Sequence, residues 1–233
     1  VAPILYNEFP LFLKRYFPYK VQKISLNAGF TCPNRDGVKG YGGCTYRNNQ
    51  TFNPEYCRTE KSVTQQLEEG KVFFAHKYPE MKYLAYFQAY TNTYGDPDRL
   101  LSCYEEALSS PEVAGISIAT RPDCLSDIIL EGLDRLQLLY PDRFIWIELG
   151  LQSIHDHTAA RIRRGYPTSV FYDAAAKLHA QRLPFIVHLI LGLPGETRLD
   201  LLESIRAVNQ VHPFGVKLQL LHILKGTDLA LLY

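Results

Sequence analysis

The sequence lacks any long hydrophobic run, because no apolar segment approaches the ~20 residues that a helix needs to cross a bilayer. It also lacks an excess of charge of one sign, since 25 Lys and Arg residues oppose 24 Asp and Glu residues. A formal net charge of +1 gives no electrostatic footprint for bulk nucleic acid or a membrane surface. The N-terminal residues lack the charged-then-apolar layout of a secretory signal. These absences predict a globular, cytoplasmic protein that does not associate with membranes.

Cysteine is scarce and its number is odd, with Cys32, Cys44, Cys57, Cys103 and Cys124 in the whole chain. Without a secretory signal, an odd number favours reduced thiols over a disulfide framework. Cys103 and Cys124 fall in or beside helical patterns and are expected to be small buried hydrophobic residues. Cys32 and Cys44 stand instead in a Gly-rich loop just after a β-like segment.

Short apolar, β-rich runs alternate with amphipathic runs along the chain. Each strand candidate is nearly continuous in apolar character, as expected when protein covers both faces of a strand. The candidates are Val21–Ala28, Tyr83–Ala89, Gly115–Thr120, Phe144–Gly150, Phe185–Leu191 and Val216–Leu221. Six β-then-α units predict a parallel sheet with right-handed crossovers. Because six units are too few for an eight-fold barrel, the pattern leaves an open partial barrel or a doubly wound sheet.

The remaining organisation is simple. We expect one domain, with residues 1–20 as a lead-in that packs on a barrel formed by residues 21–233. The pattern predicts that a new helix begins just before Tyr233, so we expect the C-terminus to be truncated. The predicted helix starts are capping patterns: Ser62 with Gln65, Asp96 with Pro97, Ser126, Ser153 with Asp156, and Thr197 with Asp200. Behind Ser62, one helical face carries Val63, Leu67, Phe74 and Tyr78.

Polar side chains occur where the predicted strands end. In parallel α/β sheets and barrels, chemistry takes place at these C-terminal ends. A buried polar residue is costly unless it is paired, so each one alone is best explained by a structural hydrogen bond. Their convergence beside the cysteine loop favours a functional site. The candidates are Gln88, Thr91, Asn92, Thr120, Arg121, Glu148, Gln152, Ser153, His188, Lys217, Gln219 and His222.

Four segments in this order on six βα units resemble the radical S-adenosylmethionine (SAM) superfamily, in particular its YhcC-type branch. They are CPNRDG, GGCTY, ELGLQS and ILGLPGE, and the resemblance runs from about Tyr6 to the end of the chain. It implies a partial (β/α)6 TIM-like barrel and two cofactors, a [4Fe–4S] cluster held by three loop cysteines and SAM bound to the fourth iron. The implied reaction is reductive cleavage of SAM to methionine and a 5′-deoxyadenosyl radical. The branch is related to the elongator-type and coproporphyrinogen-type members.

The resemblance also implies roles for individual residues. Cys32 and Cys44 would be cluster ligands. The positions implied to contact SAM are Tyr46, Gln88, Ala89, Tyr90, Thr91, Gln152, Arg164, His188 and Gly192. Arg164 would pair with the SAM carboxylate, for which a guanidinium fork is well suited. His188 would hydrogen-bond a hydroxyl of the ribose.

The pattern departs from the family at Arg47, where the third cluster cysteine is expected. Arginine cannot ligate iron because its guanidinium stays protonated. Three explanations remain open: a substitution in an otherwise active lineage, replacement of the ligand by Cys57, or a non-catalytic barrel that keeps SAM or nucleotide binding. The spacing favours Cys57 as a bystander.

Three further alternatives carry less support from the sequence. A zinc site formed by Cys32, Cys44 and Cys57 has wide spacings and no paired C-x-x-C. Arg47 could also pair with Asp36 or Glu55 on a solvated loop. Acid/base or hydrolytic catalysis is not supported by any nucleophile elbow or Ser-His-Asp arrangement.

The partners follow only from the resemblance. It implies an electron donor such as flavodoxin or ferredoxin and a substrate that the sequence does not identify. Elongator-type relatives act on tRNA, so tRNA is a substrate by analogy only. The near-neutral charge gives no support for RNA.

Overall fold

The computed structural model describes residues 6–48, 53–75 and 80–232. Six parallel strands form one curled sheet in which the spatial order follows the chain, giving a partial barrel with helices outside. The strands are β1 (Lys20–Leu26), β2 (Met81–Phe87), β3 (Val113–Thr120), β4 (Phe144–Gln152), β5 (Phe185–Leu191) and β6 (Gly215–Leu220). All six predicted strands and the partial TIM-like barrel are therefore confirmed, and the doubly wound alternative is wrong.

The first helix precedes the first strand, and the other helices connect successive strands across the outer face of the sheet. The helices are α1 (Phe9–Tyr16), α2 (Val63–Phe74), α3 (Pro97–Leu108), α4 (Asp127–Leu139), α5 (Asp156–Arg161), α6 (Thr168–Ala180) and α7 (Arg198–Gln210). Short 3-10 helices cover Pro122–Cys124 and Asp228–Leu232. No helix within the described residues is both long enough and apolar enough to span a bilayer.

Most helix starts form as the sequence predicts. Ser62 and Thr197 each accept a hydrogen bond from the backbone three residues on, and the side chain of Gln65 or Asp200 reaches back, so both capping boxes are present. Ser126 caps α4 through the amide of Ile129. Tyr78, which we expected on the apolar face of α2, lies outside the described residues.

The predicted cap at Ser153 is wrong. The N-cap of α5 is His155, and Asp156 is the first residue of the helix. The Ser153 hydroxyl accepts a hydrogen bond from the His155 amide at 3.0 Å and bonds the Glu196 carboxylate. Ser153 therefore shapes the turn between β4 and α5 and connects it to the loop after β5.

Helix α1 packs against the strand starts. Leu13 joins Val21, Leu84 and Trp146 in an apolar cluster, and the Phe9 ring lies edge-on to Trp146 with centroids 6.1 Å apart. These side chains bury one end of the barrel interior. That residues 1–20 form a separate lead-in stays a prediction.

Strand β4 shows how the fold builds its interior. Alternate side chains of a strand point to the same face, and Trp146, Glu148, Gly150 and Gln152 form such a series. Trp146 meets the apolar cluster around α1, whereas the other three line a cavity. The polarity of the interior therefore rises along the strand towards its C-terminal end.

Candidate functional site

A cavity of about 400 Å³ lies at the C-terminal ends of the strands. Its volume is in the range of small-molecule sites. Among the predicted strand-end residues, those that line it are Gln88, Thr120, Glu148, Gln152, His188, Lys217, Gln219 and His222. Thr91, Asn92, Arg121 and Ser153 are not among the lining residues. Asn92, for example, donates to the backbone oxygens of Ala89 and Ala119 and so braces the loop after β2.

The floor of the cavity is a buried polar cluster centred on Glu148, which is 1% exposed. Its carboxylate accepts hydrogen bonds at 2.6 Å from Lys23, Ser117 and His188, and Lys217 lies 3.5 Å away. Desolvation raises the pKa of Glu148. The His188 hydrogen bond and the charges of Lys23 and Lys217 outweigh it, and the pKa lies well below its ordinary value. Glu148 is therefore ionised at neutral pH.

The same cluster fixes the state of His188. Desolvation lowers the pKa of His188, and the attraction of Glu148 only partly offsets it. The ring is therefore neutral at pH 7. Because an ionised carboxylate only accepts hydrogen bonds, Nε2 carries the proton and Nδ1 remains an acceptor. The histidine that the resemblance implied for a ribose hydroxyl thus already has one firm partner.

The cysteine loop lies beside the cavity and contacts the barrel through the thiol of Cys32 and the side chain of Asn34. The Cys32 sulfur is buried and accepts a contact from Arg121 Nη1 at 3.7 Å. The Cys44 sulfur lies 3.9 Å from Asn34 Nδ2. Asn34 also donates to the Arg163 carbonyl oxygen at 2.7 Å, which connects the loop to the segment after α5.

Arg47 belongs to the cavity wall. Its guanidinium carbon lies 6.0 Å from the centroid of the Tyr46 ring. Desolvation lowers the pKa of Arg47, but attraction to Tyr46, Cys44 and Cys32 raises it overall. Burial in turn raises the pKa of Tyr46, so at neutral pH the cation faces an uncharged phenol.

The predicted ion pairs of Arg47 are wrong. Within the described residues, neither Asp36 nor Glu55 pairs with it, and the Asp36 carboxylate accepts the Val38 amide instead. Arg47 is exposed to solvent, and its side chain also lines the cavity.

Cys57 does not replace the missing ligand. It is 3% exposed and packs in the main core with Tyr56 and Leu67, and burial raises the pKa of its thiol to about 12. In the described part of the chain, Cys32, Cys44 and Cys57 do not form a group of sulfurs within 4.8 Å. The structure therefore corrects both the Cys57 substitution and the three-cysteine zinc site.

The residues that the resemblance linked to SAM divide into two groups. Those that line the cavity are Tyr46, Gln88, Ala89, Tyr90, Gln152 and His188. Thr91, Arg164 and Gly192 are not among the lining residues. Thr91 is buried and its amide donates to the Thr31 carbonyl oxygen, whereas Gly192 is an exposed turn residue with φ +83°.

Arg164 has a structural role in this geometry. It is 3% exposed, and its guanidinium donates to backbone oxygens of Leu151, Ser153 and Tyr166 and to the Thr168 hydroxyl. With its donors satisfied inside the protein, Arg164 has none directed at a ligand carboxylate. The implied pairing with the SAM carboxylate does not fit, and Arg164 instead holds the segment after β4 in place.

Gln152 carries an unsatisfied acceptor at the cavity. It is 7% exposed, adopts φ +70°, and its Oε1 has no hydrogen-bond partner within the described residues. Its amide group covers Gly150, where an added Cβ would lie 2.9 Å from Nε2. A buried acceptor without a partner is costly, so this feature fits a ligand that donates a hydrogen bond, as SAM could.

The residues present do not fit a [4Fe–4S] cluster. A [4Fe–4S] cluster is held by cysteine thiolates, and the loop offers two, with a guanidinium at the third position.

Three interior residues that sequence reasoning missed complete the floor of the cavity: Lys23, Tyr86 and Ser117. Lys23 and Ser117 lie in the middle of their strands and Tyr86 one residue before the end of β2, and the alternation of side chains along β1, β2 and β3 is the signal that could have revealed them.

A parallel partial barrel with a cavity at its strand ends and a cysteine loop beside it defines an α/β protein of the partial TIM-like barrel class. The family model described as the Radical SAM superfamily matches residues 32–208, and the chain belongs to that superfamily. It is 40% identical to protein YhcC of Escherichia coli over 97% of this chain and 71% of that protein. It is 38% identical to YtqA of Bacillus subtilis over 98% of this chain and 70% of that protein.

Solved structures share the fold at low identity. The Elp3 of Methanocaldococcus infernus matches with a TM-score of 0.63 and 18% identity, over 92% of this chain and 49% of that one. Coproporphyrinogen III oxidase (HemN) of Escherichia coli, whose structure is described as a radical SAM enzyme, matches with a TM-score of 0.52 and 16% identity, over 92% and 48%. The chain thus spans about half the length of these two proteins.

Proposed function

We propose that the chain is a radical SAM protein in which SAM binds in the strand-end cavity and cluster assembly is impaired at Arg47. The observation that carries this proposal is the position of Arg47 in the cavity wall. Arg47 lies near Cys44 and Cys32, and attraction to both residues raises the pKa of its guanidinium. A guanidinium in that place supplies positive charge where the family supplies a thiolate. In members with a complete cluster, the bound group supplies the electron that cleaves SAM.

The chain's own residues support binding without that step. Gln152 offers a buried acceptor, and Gln88 and Tyr90 line the same cavity. Below them, the ionised Glu148 and the neutral His188 form a fixed polar floor. Groups held in place before the ligand arrives bind it at a lower entropic cost.

The experiment is anaerobic iron–sulfur reconstitution of the unchanged protein beside Arg47→Cys, followed by EPR with and without SAM. We expect a reduced-cluster signal that SAM perturbs in Arg47→Cys and none in the unchanged protein. The double variant Cys44→Ser with Arg47→Cys is the matched control, because it restores one thiol and removes another. A cluster of equal yield in the unchanged protein and in Arg47→Cys would contradict the proposal.

A second candidate is a non-catalytic barrel that binds SAM or another nucleotide. The cavity favours it, because Gln152 and Arg47 both offer polar contacts that need no iron. This candidate predicts that the unchanged protein binds SAM in the presence of a chelator while Arg47→Cys still assembles no cluster. If Arg47→Cys does assemble a SAM-responsive cluster, a low-potential donor such as flavodoxin or ferredoxin becomes the expected partner, with the substrate still to be identified.

A further inference from the structure

Positive charge is in excess around the cavity. Its charged lining residues are Arg47, Lys217 and Glu148, while His188 is neutral. Lys23 and Lys217 both face Glu148, so this single carboxylate is already shared between two ammonium groups. Arg47 therefore stands as a cation that no described carboxylate neutralises. Arg47 is exposed and lines the cavity, so its guanidinium is accessible to a ligand.

The chemistry of Arg47 selects the kind of ligand group. A guanidinium presents planar donors that match a carboxylate in two parallel hydrogen bonds, and it accepts nothing. A guanidinium also stays protonated at any physiological pH. Arg164, the other arginine considered for this role, has its donors satisfied inside the protein. A ligand carboxylate in the cavity thus has one matching cation.

Gln152 supplies a hydrogen-bond acceptor for a second, positively charged group of the ligand. Its Oε1 accepts no hydrogen bond within the described residues, although the side chain is nine-tenths buried and lines the same cavity as Arg47. An acceptor of this kind suits an ammonium group. A carboxylate and an ammonium group on one carbon are the two ends of an α-amino acid.

We propose that Arg47 and Gln152 form a subsite for the α-amino acid end of a nucleoside ligand, with Arg47 on the carboxylate and Gln152 on the ammonium group. This inference rests on the proposed use of the cavity as the SAM site. In the superfamily, the amino and carboxylate groups of SAM chelate the cluster iron. In this chain, the side chains of Gln152 and Arg47 would bind those two groups instead. Arg47 then replaces the cluster as an anchor, so the unchanged protein holds the ligand without iron.

Two thioether probes, both without the sulfonium charge of SAM, isolate the contribution of the amino acid end. S-adenosylhomocysteine and 5′-methylthioadenosine share the adenosine and the sulfur, but only the first carries the amino acid. Calorimetric titration of the full chain in EDTA, with no iron added, measures both. We expect S-adenosylhomocysteine to bind at least tenfold more tightly, a difference of about 1.4 kcal/mol.

The variants test whether Arg47 causes that difference. Arg47→Ala should remove most of the advantage of S-adenosylhomocysteine and leave the affinity for methylthioadenosine unchanged, because Gln152 still accepts from the ammonium group; Arg47→Lys should keep a larger part of the advantage. Arg58→Ala is the matched control, because Arg58 is exposed and its Nε donates to the Glu55 carbonyl oxygen nearby. Circular dichroism checks that each variant is folded. If Arg47→Ala does not fold, Arg47→Lys and the comparison of the two probes on the unchanged protein still test the inference.

Three results would overturn the inference: equal binding of the two probes to the unchanged protein, no binding of either, or an undiminished advantage in Arg47→Ala. The failure of the proposed function looks different. If Arg47→Cys assembles a cluster that SAM perturbs, yet the unchanged protein does not distinguish the probes, the superfamily chemistry stands and the Arg47 subsite is refuted. Failure of the reconstitution alone leaves the comparison of the probes intact.

Discussion

Glu148 gives the sharpest test of the barrel interior. It is 1% exposed and shares its charge with Lys23 and Lys217, while Ser117 and His188 donate to it at 2.6 Å. Replacing it by glutamine removes the charge but almost none of the volume. Breaking a buried ion pair on one side costs ~3–5 kcal/mol. Because both lysines are partly exposed and can turn towards the cavity water, we expect a loss near the lower end, about 3 kcal/mol.

The assay is urea unfolding followed by tryptophan fluorescence. Trp146 is the single tryptophan of the chain, and its Nε1 donates at 2.7 Å to the Ser117 hydroxyl, which itself donates to Glu148. The probe therefore reports on the same hydrogen-bonded chain. Asp127→Asn is the control, because Asp127 pairs with Lys177 on the surface, and such exposed pairs are worth under ~1 kcal/mol.

The pH dependence supplies an independent check with a fixed sign. The pKa of Glu148 is depressed in the folded protein, so its stabilisation is complete above the unfolded value of about 4.3. It is lost as the pH falls from there through the folded pKa. The difference in unfolding free energy between the unchanged protein and Glu148→Gln should shrink across that acid range. A Glu148→Gln protein within 1 kcal/mol of the original at pH 7, by the scale of exposed pairs, would refute the reasoning.

Three further predictions concern packing, capping and thiol reactivity. Gly115→Ala should destabilise the protein by ~2–3 kcal/mol in urea unfolding, because the added Cβ would overlap the Phe144 carbonyl oxygen of the neighbouring strand; unchanged stability would contradict the close approach of β3 and β4. Thr197→Ala should cost ~1 kcal/mol in the same assay, because the cap of α7 is removed, and Thr197→Ser should restore it. Cys57, with a thiol pKa raised to about 12 by burial, should resist iodoacetamide at pH 8 while the half-buried Cys44 is labelled first; peptide mass spectrometry measures the order, and equal rates would contradict the placement of Cys57.

The fold could be predicted because its strands and helix starts depend on residues that are close together in the sequence. Continuous apolar runs mark strands covered on both faces, and the capping boxes at Ser62 and Thr197 depend on residues only three positions apart. The cap at Ser153 failed for a non-local reason, since its hydroxyl bonds Glu196 in the loop after β5. A local sequence pattern cannot predict a hydrogen bond from Ser153 to a residue that is distant in the sequence.

The site was less accessible to sequence reasoning, and the reason is geometric. Strand-end residues such as Gln152 and Lys217 do line the cavity, because parallel strands all end at one edge. The role of Arg164 was transferred from a motif, but its donors are satisfied by its own neighbourhood. The direction of Arg47 depends on how the loop folds back over the barrel, which no spacing specifies. The roles of the cavity residues in binding SAM stay predictions.

The most direct test of the central claim is the EPR spectrum of the reconstituted, reduced Arg47→Cys protein with and without SAM, beside the unchanged protein. The account predicts a cluster signal that SAM perturbs in the variant alone, because one thiol completes a site that is otherwise formed by Cys32 and Cys44. A SAM-perturbed signal in the unchanged protein, or no signal in either protein, would contradict it.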